Sequence, residues 1–420
     1  MARSERQRLW VLSELYYPED SATGYYVTKT AEALANMREV SVLCAQPTYR
    51  ARGTKAPAHE VLNGVRIHRC AATTLNKEVL IFRLTNLFTI SLSLFFNAVW
   101  RIRRGDIVLV VTNPPTLPFV VLLACKLRRA RLILRIEDVY PDAMIAAGMV
   151  RSESAVVRVL NVMHRLLYRS VDRVVVLGRD MLRLVQKKLQ HEGGQVRIIT
   201  HWADCGEIMP LARDKNPLLQ QLGLAEKFVV QYSGNMGRTH DLEGLVQCAR
   251  ILRSEQGIHF LFIGSGAKEA WLRKAVRELD LRNVTILPPQ ARATLAQSLN
   301  ACDIAIISFV EGMAGVSVPS RMYNILAAGK PLLAVADADS ELAQIVREEG
   351  VGWLVRPASP EKTAQAILEA ASVRPLLAEM SQRARALVLK HYTQTRIVRQ
   401  FEELLDGITS NGNRASEGRQ

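Results

Sequence analysis

The sequence predicts an α/β protein of two doubly wound domains facing each other across a cleft, on three observations. The 420 residues, 49% of them apolar, exceed one ordinary core and suit two domains of roughly 200 residues each. Short, continuously apolar strands alternate with amphipathic helices, the pattern of a parallel sheet covered on both faces. That alternation occurs as two series, separated by residues 204–217.

In the first series strands are expected at 9–13, 40–44, 65–70, 107–112, 132–136, 173–177 and 196–200. In the second they are expected at 228–232, 259–263, 284–287, 304–308, 331–335 and 352–355. The expected organisation is a first domain over 1–203, a linker over 204–217 and a second domain over 218–390. A helix over 391–407 is placed to pack back on the first domain, and a polar tail over 408–420 reads as disordered.

Charge divides unequally between the halves. Lys and Arg outnumber Asp and Glu by 30 to 16 over residues 1–200, a net of +14, and by 25 to 24 over 201–420, a net of +1. Such a field suits a densely anionic partner, nucleic acid or membrane. The run 84–100 (LTNLFTISLSLFFNAVW), flanked by Arg83, Arg101, Arg103 and Arg104, favours an anionic membrane over nucleic acid. Polar residues interrupt it, and its 17 residues fall short of the roughly 20 a span needs. It reads either as a helix buried in the domain or as one half in the core and half in a lipid interface. Six cysteines stand singly, without metal spacing and without a secretory signal ahead of the first strand. They read as reduced thiols of a cytoplasmic protein, and no metal site is expected.

In doubly wound sheets ligands bind beyond the carboxyl ends of the strands, so the loops there carry the candidate residues. After the first strand, the loop 14–23 leads to Gly24 at a helix start, either an ordinary loop glycine or a place where an anion approaches amide donors. No GxGxxG follows that strand, which argues against a nicotinamide-dependent dehydrogenase. Ser233-Gly234-Asn235-Met236-Gly237-Arg238 follows the first strand of the second domain. There two glycines let backbone face a phosphate, and Arg238 is either a solvated surface charge or a planar fork for diphosphate oxygens. The loop 308–323 brings Glu311, Gly312, Gly315, Val316, Ser317, Ser320 and Arg321 to the cleft mouth.

Seven segments spread nearly end to end then carry a resemblance: YYPEDSATGYY, SVLCAQPTYRARG, TNPPTLP, RIEDVYPDAMIAAGM, HWAD, YSGNMGR and GVSVPSRMYNILAAGKPLLA. Together they resemble the retaining, metal-independent GT-B glycosyltransferases of family 4, which are built from two Rossmann-like domains. The likeness is to the bacterial branch that adds N-acetylated deoxyamino sugars such as N-acetylfucosamine to precursors of colanic acid, O-antigen and related surface polysaccharides. The resemblance implies that Gly24 and its loop approach the donor diphosphate, that Arg238 and Arg321 neutralise it, and that the backbone from Gly312 to Ser317 faces the sugar. Two departures stand out. Asn324 occupies the place of a ribose-binding Glu, and Glu137-Asp138 the place of a His-Asp pair. Either carboxylate would contact the sugar or take the acceptor proton, or simply cap the following turn.

The resemblance implies a nucleoside diphosphate sugar donor, UDP-linked, with no other cofactor and no metal. It implies a lipid-linked saccharide acceptor and an enzyme held at the inner face of the cytoplasmic membrane. Front-face departure of the nucleoside diphosphate is the expected retaining route, with a two-step path through Glu311 or Asp138 as the alternative. A UDP-N-acetylglucosamine 2-epimerase-like enzyme or a non-catalytic nucleotide-sugar-binding protein would share the architecture.

Overall fold

The computed structural model describes residues 7–19, 21–47, 54–75, 79–190 and 194–417. Asp20, residues 48–53 of the second segment quoted above, the side chain of Arg83 and residues 418–420 of the tail lie outside it.

The first domain opens with β1 (Leu9–Leu12), α1 (Ala22–Ala35), β2 (Val40–Ala45) and the hairpin β3 (His59–Leu62) and β4 (Val65–Cys70). It continues with α2 (Leu80–Arg101), β5 (Ile107–Val111), α3 (Leu117–Arg128), β6 (Arg131–Arg135) and the short α4 (Asp142–Ala146). α5 (Ala155–Ser170), β7 (Arg173–Val176), α6 (Arg179–Leu189) and β8 (Val196–Ile198) complete it. The eight strands lie in the order β3-β4-β2-β1-β5-β6-β7-β8, parallel except for β3 against β4. β3 is the one strand here that the sequence pattern does not announce: HEVL is half-exposed on an edge and lacks an apolar run.

The second domain runs α7 (Pro217–Gln221), β9 (Phe228–Asn235), α8 (Leu242–Ile251), β10 (Ile258–Ser265), α9 (Glu269–Glu278) and β11 (Val284–Leu287). Then come α10 (Leu295–Asn300), β12 (Ile304–Ser308), α11 (Arg321–Ala327), β13 (Leu332–Val335), α12 (Glu341–Glu349), β14 (Gly352–Val355) and α13 (Pro360–Ser372). Its parallel sheet has the order β11-β10-β9-β12-β13-β14. The strand order reverses between β9 and β12, so the crevice of this sheet opens between the glycine turn after β9 and the loop after β12. Both sheets agree with the two-domain doubly wound expectation.

α14 (Arg374–His391) packs on α11, α12 and α13 of the second domain, and α15 (Gln394–Glu417) returns to the first. Phe401, Leu405 and Ile408 of α15 join Leu9, Val11 and Val42 in the core behind the first sheet. The helix continues to Glu417 and buries Ile408, which corrects the expectation of a disordered tail from 408. An apolar side chain in the core fixes the backbone that carries it.

On the opposite face of the first sheet, α2 is amphipathic in an inverted sense. Ile90, Leu94 and Ala98 are buried, and so are the polar Asn86 and Ser91 that interrupt the apolar run. Asn86 Oδ1 accepts from Thr73 Oγ1 at 2.8 Å and from Leu75 N at 3.0 Å, and Ser91 Oγ meets Thr116 Oγ1 at 2.9 Å. Facing out at spacings of four are Phe88, Leu92, Phe96 and Trp100, the last 74% exposed. Among the described residues no helix is long and apolar enough to cross a membrane.

Candidate active site

The glycine turn that begins in the last residues of β9 is shaped by an arginine from α11. Gly234 has φ +142°, a region that favours glycine, and a Cβ there would sit 2.8 Å from Arg321 Nη1. The missing side chain leaves Arg321 room to reach under the turn. Its Nη1 donates to Ser233 O at 3.3 Å, and its guanidinium lies 4.5 Å from the Tyr232 ring centroid. Arg321 Nη2 lies 3.1 Å from His240 Nδ1, which is also 3.0 Å from Ser308 O. Burial, with Arg321 beside it, holds the His240 imidazole down at about 3, so the arginine's neighbour is uncharged near neutral pH. Arg238, at the end of the turn, is exposed and makes no hydrogen bond or ion pair among the described residues. Among the described residues, two guanidinium groups therefore stand at the crevice without an ion-pair partner. Asn235 is exposed, its carbonyl accepting from Tyr232 OH at 2.6 Å, and Gly237 completes the turn.

The loop after β12 differs from the expectation. Gly312 N donates to Asp337 Oδ1 at 3.3 Å and Ala314 N to Asp337 Oδ2 at 2.9 Å. Gly315 N donates to Asp180 Oδ2 at 2.9 Å. The amides of Gly312 and Gly315, expected to face a sugar, are already bonded to carboxylates. The inner edge of the loop instead meets the first domain: Ser317 forms a bridge with Asp138, and Val139 N donates to Val316 O at 2.9 Å. Glu311 is exposed, and Ser320 precedes α11 without a side-chain cap.

On the first domain's rim, Gly24 is also corrected. Its amide donates to Ser21 Oγ at 3.1 Å, and a Cβ would lie 2.8 Å from Glu19 O. Close packing of its own loop accounts for this glycine. Asn324 likewise has its Oδ1 occupied, accepting from Asp204 N at 3.1 Å, which ties α11 to the linker.

Glu137 and Asp138, adjacent in sequence, have opposite surroundings. Glu137 turns inward, where Arg135 Nε approaches Oε1 to 2.9 Å at an angle that makes an ion pair rather than a hydrogen bond. His201 Nε2 lies 3.2 Å from Oε2, and Arg135 Nη2 lies 3.0 Å from His201 Nδ1, closing a buried triad. Burial alone would raise the Glu137 carboxyl, but Arg135 and His201 outweigh it and hold it at about 2. With its oxygens engaged, Glu137 does not face the cleft, which corrects its place among the reacting candidates. Asp138 lies at the domain seam. Burial pushes it up to about 6, with Ser317 opposing and Glu137 adding to the shift.

Sequence reasoning missed a cluster where the linker meets both domains. Tyr25 OH donates to Asp204 Oδ1 at 2.6 Å, Arg292 Nη2 donates to Asp204 Oδ2 at 2.5 Å, and the Arg292 guanidinium lies 3.4 Å from the Tyr25 ring centroid. It also missed Gly264 near the end of β10 and Gly266 just after it, where a Cβ would meet Gly234 O at 1.9 Å and Met236 O at 2.6 Å. Gly-Ser-Gly at a strand end was the available signal.

Comparison with known proteins gives the family and the fold. Residues 214–387 match the family described as Glycosyl transferases group 1, and residues 21–202 the Glycosyl transferase 4-like domain. The chain is 34% identical over 269 residues to a Pseudomonas aeruginosa protein named as the probable glycosyltransferase WbjE, covering 64% of this chain and 67% of that one. It is 29% identical over 401 residues to WcaI of Escherichia coli K12, whose name assigns it to colanic acid biosynthesis as a glycosyl transferase, covering 92% and 96%. Sucrose-phosphate synthase from Thermosynechococcus elongatus shares the fold at a TM-score of 0.78 and 18% identity, over 97% of this chain and 100% of that one. Anabaena HepE, solved in complex with UDP-glucose, does so at 0.73 and 14%, over 95% and 99%. With each half matched in turn and WbjE covered over two thirds of its length, the chain belongs to the group 1 glycosyltransferases and has the GT-B fold.

Proposed function

We propose that this glycosyltransferase moves an N-acetylated amino or deoxyamino sugar from a UDP-linked donor to a lipid-linked saccharide, with retention, in cell-surface polysaccharide biosynthesis. The observation that carries the donor half is the pair of arginines without an ion-pair partner among the described residues, Arg321 and Arg238, at the switch point of the second sheet. A leaving diphosphate gains negative charge as the sugar departs, and preorganised cations aimed at that charge are commonly the largest catalytic contribution. Since Gly24, Gly312 and Gly315 already have protein acceptors for their amides, the guanidinium groups carry this role. They also make a metal unnecessary for neutralising the diphosphate.

Asp138, across the seam, is the carboxylate placed to contact the sugar or the acceptor hydroxyl. The acceptor oxygen enters on the face the diphosphate leaves. The name of WcaI supports the polysaccharide setting, and the UDP-glucose complex of HepE supports the donor class.

The membrane half is supported by the first domain's outer surface. α2 packs beside α3, which exposes Leu123 and Leu127, and α3 packs beside α5, which exposes Val159, Val162 and Leu166. Arg101, Arg128 and Arg169 lie at the ends of these helices, suiting lipid phosphates. The test is transfer from labelled UDP-sugars, with and without membrane lipid extract, with and without EDTA. Lipid-dependent, EDTA-resistant formation of a product with the donor's anomeric configuration is expected. Conversion of donor without acceptor, binding without turnover, or an inverted product overturns the corresponding part.

A further inference from the structure

Across the domain seam two helices begin head to head, and each is capped by the other's carboxylate. Asp180, in the first turn of α6, accepts at Oδ2 from Glu341 N at 2.9 Å as well as from Gly315 N. Glu341, the first residue of α12, accepts at Oε2 from Arg179 N at 2.7 Å and from Arg179 Nε at 3.0 Å. Both carboxylates are buried, at 4% and 5% exposure. A helix start has unpaired N–H groups and a positive dipole end, and a carboxylate satisfies both. Glu341 supplies the side-chain cap that α6, with Gly178 at its N-cap, lacks, and Asp180 adds to the cap that Ser340 already gives α12 through Ala343 N.

The contact is close because two glycines allow it. Gly315 has φ +75°, and a Cβ there would stand 2.8 Å from Asp180 O. A Cβ on Gly178 would stand 2.9 Å from Asp180 Oδ1, Glu341 Cγ and Val318 Cγ2. The loop after β12 is thus gripped on one edge by Asp180 and on the other by Asp138 and Val139.

We infer that Asp180 and Glu341 are positioning residues for sugar transfer, fixing the loop 312–318 of the second domain against Asp138 of the first. This rests on the proposed function, in which Asp138 contacts the reacting sugar or the acceptor hydroxyl. Arg238 and Arg321 belong wholly to the second domain, so the pair governs alignment and not the hold on the diphosphate. Misplacement by about 1 Å at a reacting centre costs on the order of 10²-fold in rate.

The test uses the full chain with Asp180→Asn, Glu341→Gln, the double variant, and Gly315→Ala, which displaces the loop while keeping both carboxylates. Calorimetric affinity for UDP is expected to stay within about twofold of wild type while kcat falls about ten- to a hundredfold in each. The double variant is expected to be no slower than the worse single, since the two residues act as one unit. Faster amide hydrogen exchange over 312–318 is expected in every variant. Wild-type kcat in the variants, equal losses of UDP affinity and kcat, or fully additive losses would overturn the inference. If wild type transfers no sugar the functional reading falls instead, and unchanged exchange over 312–318 would still reject the clamp.

Discussion

The two rims of the cleft offer opposite chemistry. On the first domain's rim the candidate reacting groups are two carboxylates, Glu137 locked into a buried triad and Asp138 at the seam. On the second domain's rim the glycine turn presents two arginines that form no ion pair among the described residues. The loop beside that turn looks, in sequence, like a second ligand cradle, but its amides bond to Asp337 and Asp180. The difference teaches that small residues around a cleft serve two ends. At Gly234 the absent side chain admits a cation, whereas at Gly315 it admits the other domain.

The comparison breaks most severely if Glu137 is only decorative. Glu137→Gln strands Arg135 in the core without its counter-charge and is expected to cost about 3–5 kcal/mol of stability, read by urea unfolding at pH 7. The native carboxyl titrates at about 2, below its ordinary 4.5. Its stabilisation is therefore full above the ordinary value and fades as pH falls from there towards 2. The gap between wild type and variant is expected to narrow on acidification, and a constant gap from pH 7 to pH 3 counts against the triad.

A smaller effect, on rate alone, is expected at the other rim. Arg321→Ala is expected to lower kcat/KM about 10²-fold, some 2.7 kcal/mol of barrier, with the fold intact by circular dichroism. Undiminished transfer removes the second rim from the chemistry. Smallest of all is Glu311→Gln. Glu311 is exposed, so turnover is expected to stay within about twofold of wild type. A hundredfold loss would revive the two-step path through this carboxylate.

Legibility from sequence followed the range of the forces involved. Strands such as β5 (IVLVV) and β12 (IAIIS) were legible because a doubly covered parallel strand must be apolar throughout. The glycine turn and Arg238 were legible because their place after a strand is local. The partners of the loop after β12 were not, since Asp180 lies 135 residues from Gly315 and meets it only when the domains dock. Nor could the fates of Glu137 and Asp138 be separated, because they depend on which side of the sheet end each faces. The partner of Asn324 was not legible either, because its reach to Asp204 depends on the path of the linker.

The return of α15 to the first domain has a consequence for synthesis. Phe401, Leu405 and Ile408 cover the face of the sheet that begins with Leu9. A ribosome has therefore made the entire second domain before the first can close its core, reversing the usual order in which the leading domain folds alone. During that interval the part of the leading sheet that α15 will cover, beside α1, is exposed.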